Sequence, residues 1–170
     1  MRQMRKSAIP TLLLVAMSVS GCASKPSPPA PAPVMTATAA DLGDMAIVSG
    51  AAKAVDIGDY AYAERALQKF VYRDKKGQLK LIYFGLSGDT RKQAIDTVVR
   101  LLWETGRDDT LRQFADDYLS GREYQTTLCR IAERQGAFEQ AYQCWNRMGE
   151  VERAERVIRT DAAIKILGTP

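Results

Sequence analysis

From residue 41 onward, apolar residues return every three or four positions and glycine interrupts them at short intervals, which is the helical period. Met45, Val48, Ala52 and Val55 define a first helix, capped by Asp41 and closed by Gly58. Asp59 can cap a second, with Tyr60, Ala63, Leu67, Phe70 and Val71 on one face. Residues 90–105 place Ala94, Ile95, Val98, Val99, Leu102 and Trp103 along a third. Residues 108–119 form a fourth, through Leu111, Phe114, Ala115, Tyr118 and Leu119, with Gly121 expected to end it. Residues 122–135, 137–148 and 150–159 follow, divided by Gly136 and Gly149, and a weaker helix is expected through 162–167. Residues 71–86 read two ways. Alternating Leu79, Leu81 and Tyr83 beside a polar turn at 74–77 suit a β-hairpin. Leu79, Ile82, Tyr83 and Leu86 suit a short helix, and the helical surroundings favour that assignment.

Proline is absent from 34 to 169, so nothing on that run breaks a helix by removing its N–H. The expected class is all-α: short antiparallel helical hairpins, stacked as a solenoid or an irregular helical bundle.

Three turns read alike: Gly58-Asp-Tyr60-Ala-Tyr-Ala63, Gly136-Ala-Phe138-Glu-Gln-Ala141 and Gly149-Glu-Val151-Glu-Arg-Ala154. Glycine permits the sharp exit, the large residue packs in the next first turn, and alanine lets helix backbones approach. The pattern resembles the mid-repeat turn of tetratricopeptide repeats, with Leu128 and Trp145 at the large positions of the two helices. The resemblance covers two loose units within 41–160 and implies a helical-repeat scaffold. Three features depart from that family, the first being that helix A lacks its tryptophan and its Leu-Gly pair. Gly136 and Gly149 are only 13 apart where it repeats every 34 residues, and no proline closes a unit.

The first forty residues follow another rule. Arg2, Arg5 and Lys6 precede an apolar run from Ala8 to Val19, which ends on Val19-Ser20-Gly21-Cys22. A charged start, a short apolar core and small residues at the exit describe a secretory signal. At 12 residues with Pro10 inside, the run is shorter than the roughly 20 that span a membrane. Val-Ser-Gly-Cys resembles the lipobox of bacterial lipoproteins. That resemblance implies cleavage after residue 21, covalent diacylglycerol and an N-acyl chain on Cys22, and, with Ala23 next, sorting to the outer membrane. The alternative is a plain signal cut near Ala23. Residues 22–40 would then be a tether: five prolines between 26 and 33 favour polyproline II, reaching about 55 Å at about 3.1 Å per residue. Residues 41–170 remain as one helical domain of common size.

The net charge of +4 changes meaning with this division. Without Arg2, Arg5 and Lys6 the excess of cations falls to one, and residues 41–170 carry twenty of each sign. No clustered excess for nucleic acid is expected. Histidine is absent, which removes Ser-His-Asp and Cys-His nucleophiles, His-ligated zinc and His general bases. Catalytic and metal residues are therefore expected to be none, and no cofactor beyond the lipid on Cys22. Asp108-Asp109 and Asp116-Asp117 look like paired carboxylates, but adjacent helical residues point about 100° apart. Cys129 and Cys144 flank Gly136 by seven and eight residues, so a hairpin brings them level. They are candidates for a structural disulfide, or for two buried small hydrophobes.

These features point to a periplasmic-facing outer-membrane lipoprotein that binds envelope proteins. The expected partners are a secretin or a pilus or secretion subunit, in a pilotin-like or accessory role. Tyr60, Tyr62, Tyr118 and Tyr124 are the candidate partner-binding residues. The alternatives are a cell-wall enzyme using Glu64, Glu104 or Glu133, which needs a carboxyl in an apolar cleft, and a surface-exposed exclusion lipoprotein.

Overall fold

The computed structural model describes residues 39–82 and 86–168. The signal, Cys22 and almost all of the tether lie outside the described residues, as does Tyr83. The described chain is mostly helical, as expected. Its elements are α1 (Ala39–Asp56), α2 (Tyr60–Leu67), β1 (Val71–Arg73), β2 (Leu79–Leu81), α3 (Gly88–Glu104), α4 (Asp108–Tyr118), α5 (Gly121–Arg134), α6 (Phe138–Arg147) and α7 (Val151–Leu167).

Four turns share one backbone. Gly58, Gly106, Gly136 and Gly149 have φ of 81°, 69°, 71° and 77°. In each, the glycine N–H reaches back three residues and the next N–H reaches back five. At Gly58 these bonds go to Val55 and Ala54 (3.2 and 2.8 Å), and at Gly149 to Asn146 and Trp145 (3.0 and 3.0 Å). This pair is the Schellman closure, which satisfies carbonyls that a helix end would otherwise leave open. The residue after each glycine then sits near φ −85° and ψ 60°: Asp59, Arg107, Ala137 and Glu150. Of these four, only Asp59 adds a side-chain cap, accepting from the Tyr62 N–H at 3.0 Å. The residue five beyond each glycine is buried: Ala63, Leu111, Ala141 and Ala154. The turn at Gly106 has the geometry of the other three without their sequence pattern, because Asp108 stands where the others carry Tyr, Phe or Val.

The alternation of turns makes α1 and α3 run parallel. Ser49 hydrogen-bonds Gln93 (3.1 Å), and seven residues further along both helices Asp56 pairs with Arg100. Parallel stacking of alternate helices is what a solenoid of hairpins requires. A large core joins α1 to α4 around Val48, Leu67, Val98, Leu102, Leu111 and Phe114. A second, smaller core under α5–α7 holds Cys129, Ala132, Ala141, Trp145, Ala154 and Val157.

Three expectations are corrected. Residues 71–82 are not helical: β1 and β2 pair antiparallel with Val71 opposite Leu81 and Arg73 opposite Leu79, and the remainder of the expected helix, at 83–85, lies outside the described residues. Asp74 organises the turn, its Oδ1 accepting from the N–H of Lys76 (2.8 Å) and Gln78 (2.9 Å), and Gly77 takes φ 78°. Local side-chain bonds to the backbone and a left-handed glycine favour the hairpin over the helix that Leu79 and Ile82 suggested. Gly121 opens α5 instead of ending α4. Leu119 and Ser120 are extended, and Gly121 takes its left-handed backbone (φ 55°) at the first position of α5 and not as the cap of α4. The last two expected helices are one, α7, since no residue between 159 and 162 interrupts the helical bonding.

Gly106→Ala should cost about 1–2 kcal/mol, because no side-chain clash intervenes and only the left-handed backbone is penalised. Gly43→Ala, within α1 and equally open, should instead stabilise by up to about 1 kcal/mol. Urea denaturation of the two variants would show opposite signs; equal effects would contradict the turn geometry.

Candidate binding surface

The four tyrosines are not gathered into one groove. Tyr60 packs against the larger core, while Tyr62 is about half exposed on the same helix. The Tyr118 hydroxyl accepts the outward N–H of Leu81 at 2.8 Å, and its ring rests 4.6 Å from that of Phe114. The Tyr124 hydroxyl donates to Asp116 Oδ1 at 2.8 Å, which raises its pKa above the ordinary phenol value. Tyr118 and Tyr124 therefore have structural duties that helical periodicity could not reveal.

The acidic candidates are likewise committed. Glu64 pairs with Arg107, Asp108 with Arg134 and Asp117 with Lys80. Glu133 accepts the Trp145 indole N–H at 2.7 Å and faces Arg153 at 3.4 Å, while Arg153 lies 3.9 Å over the buried Trp145 ring. Glu104 is exposed, not held in an apolar setting. The cell-wall reading needs a carboxyl isolated in an apolar cleft, and these three are placed otherwise. Among the described residues no three or more His, Cys, Asp or Glu groups converge as metal ligands.

Cys129 and Cys144 are joined in a disulfide, with Cα atoms 5.5 Å apart. It ties α5 to α6 where the core consists of one tryptophan and mostly small residues.

Three of the surface depressions bear on binding. The first lies between α3 and α5. It holds about 770 Å³ between Asp96, Val99, Thr126 and Glu123. Elsewhere on the same two helices, Arg130 and Arg134 lie 4.3 and 3.7 Å from the Trp103 ring. Burial, and then the nearby Glu123 charge, raise the Asp96 carboxyl above its ordinary value, against a smaller opposing effect of Lys92. The second, of about 510 Å³, has Phe138 and Val157 as apolar lining, beside Arg153 and Arg156.

The third lies under the hairpin. Leu67, Leu79, Val98 and Leu101 line a cleft of about 320 Å³, with the Glu64–Arg107 pair at its rim. β1 contributes Val71, Tyr72 and Arg73 and β2 only Leu79, so the cleft runs along β1. The alternation of Leu79 and Leu81 carries the signal for it, in competition with the helical spacing of Leu79 and Ile82.

No family model, curated protein or solved structure matches the chain.

Reduction of the disulfide should lower the unfolding free energy by about 3 kcal/mol, as expected for a closed loop of about 15 residues. Urea curves with and without a reductant measure it, and superimposed curves would mean the bond does not hold α5 to α6. Asp96 provides a pH test. A raised carboxyl pKa stabilises the fold at low pH and loses that contribution as pH rises through the folded value. Asp96→Asn should therefore raise the melting temperature slightly at pH 7 and not at pH 3; a variant less stable at pH 7 would refute the unfavourable setting of the Asp96 charge.

Proposed function

We propose that the chain is an outer-membrane lipoprotein, anchored through acyl chains on Cys22, that holds its helical domain in the periplasm as a binding and assembly factor for an envelope complex. The role is pilotin-like or that of an accessory subunit, and the partner is a secretin or a pilus or secretion subunit. The observation that carries the reading is the open apolar cleft beside stacked parallel helices, on a domain whose candidate catalytic carboxylates are ion-paired or exposed. Helical repeats commonly offer such surfaces to other proteins. The lipobox-like Val19-Ser20-Gly21-Cys22 and the proline-rich segment supply an anchor and a spacer. Two or more acyl chains make a stable anchor where one is marginal, and an extended tether lets the domain reach a neighbour.

Cross-linking in envelopes, followed by purification of the full-length chain, should recover one partner in stoichiometric yield. Cys22→Ala should abolish fatty-acid labelling and move the chain to the soluble fraction. Recovery of cell-wall fragments without a protein would overturn the assembly role in favour of a wall-acting one. Removal by protease on intact cells would favour the surface-exposed exclusion role.

A further inference from the structure

The two edges of the hairpin are treated differently. The bonds from Ile82 N–H to Phe70 C=O (2.8 Å) and from Asp74 N–H to Gln78 C=O (2.9 Å) fix which residues face inward. In that register Tyr72 and Lys80 exchange ladder bonds, and the N–H and C=O groups of Val71, Arg73, Leu79 and Leu81 point outward. On the β2 side the outward N–H of Leu81 is taken by Tyr118, and Lys80 is paired with Asp117 on α4. On the β1 side the outward groups of Val71 and Arg73 bond to no described residue. That open edge borders the apolar cleft.

Charge adds a third constraint. Residues 69–80 carry Lys69, Arg73, Lys75, Lys76 and Lys80 against Asp74 alone, whereas the rest of residues 41–170 carries an excess of four acidic residues. Lys69 and Lys80 are paired with Asp44 and Asp117, while exposed Lys75 and Lys76 make no ion pair with a described residue.

We propose that the open edge of β1 receives an extended acidic segment of the partner protein as a third strand. Its main chain pairs with Val71 and Arg73, an apolar side chain enters the cleft above Leu67 and Leu101, and its carboxylates face Lys75 and Lys76. Strand addition of this kind takes affinity from main-chain bonds and selectivity from alternate side chains. An unpaired edge is otherwise a liability for aggregation, which is the physical reason to cover it. The inference rests on the reading of the chain as an assembly factor and names the surface by which it would act.

The test uses the full-length chain in detergent and a fluorescent peptide, Thr-Val-Glu-Leu-Glu-Val-Thr, followed by anisotropy and by amide hydrogen exchange. Binding should slow exchange at Val71 and Arg73. Lysine in place of both glutamates should abolish binding, and added salt should weaken it. Arg73→Pro removes an N–H that the hairpin ladder does not use, so the fold should survive, as proline is tolerated on edge strands. It should weaken the peptide about tenfold relative to Arg73→Ala, the worth of a lost hydrogen bond. Gln68→Trp, which fills the mouth of the cleft, should do the same by another route. Equal binding by Arg73→Pro and Arg73→Ala, protection elsewhere on the chain, or no binding at about 1 mM would overturn the proposal. If cross-linked partner recovery survives both substitutions, strand addition falls and the assembly role stands. If the peptide protects β1 but envelopes yield no partner, the edge is real and the assembly role falls.

Discussion

At Gly58, Gly106, Gly136 and Gly149 the chain reverses by one device, a left-handed glycine whose own N–H and the next close the ends of the preceding helix. The dependence of the rest on this device is geometric. Once φ is positive and the following residue is held near ψ 60°, the next helix leaves at a fixed angle, and its fourth residue must enter the interface. Ala63, Leu111, Ala141 and Ala154 are buried for that reason. The size of that residue then sets how closely the helices approach, as alanine in three turns and leucine in the fourth. The turns lie 48, 30 and 13 residues apart, so the device is conserved in form while the spacing between uses varies. A regular superhelix does not follow from such spacing, whereas a stack of unequal hairpins does.

Helix positions were legible because apolar residues kept the helical period and glycine marked the stops. The turn at Gly106 is not visible as a repeat in the sequence, because it shares the backbone geometry without the side-chain pattern. Asp108 occupies the large-apolar position and is held by Arg134 instead of by packing. The hairpin escaped for a different reason. Leu79, Ile82 and Leu86 satisfy a helical spacing as well as Leu79 and Leu81 satisfy alternation, and a window this short cannot separate the two periods. What decides it is Asp74, whose carboxylate holds two turn N–H groups, together with Gly77. Local composition named those residues as a turn without saying what the turn joined. The candidate surface was the least legible part. Its lining comes from α2, β1, β2 and α3, brought together only by the fold.

Electrostatics give the stack its alignment more than its stability. The pairs Asp56–Arg100, Glu64–Arg107, Asp108–Arg134 and Arg122–Glu150 each join different elements or the turns between them. Such exposed pairs contribute about 0–1 kcal/mol each, too little to hold a domain together. Their effect is selective. Sliding α3 along α1 by one turn would separate Asp56 from Arg100 and Ser49 from Gln93 together. Apolar packing drives association of the helices, and these pairs favour one register of it.

The hairpin is the point where this economy of pairing is left incomplete. Strands of three residues have no independent stability, so β1 and β2 exist only by resting on the helices beneath them. That support explains why one edge is satisfied: Tyr118 and Asp117 on α4 meet the β2 side as a consequence of where α4 must pack. It does not explain the other edge. The cleft beside β1 stays open, and at the turn above it Lys75 and Lys76 make no ion pair with a described residue. Tyr118 was chosen from the sequence as a residue to meet a partner, and it meets the protein's own backbone instead. The groups that remain unmet are main-chain ones, one strand away, where an amino-acid sequence carries no side-chain signal of binding.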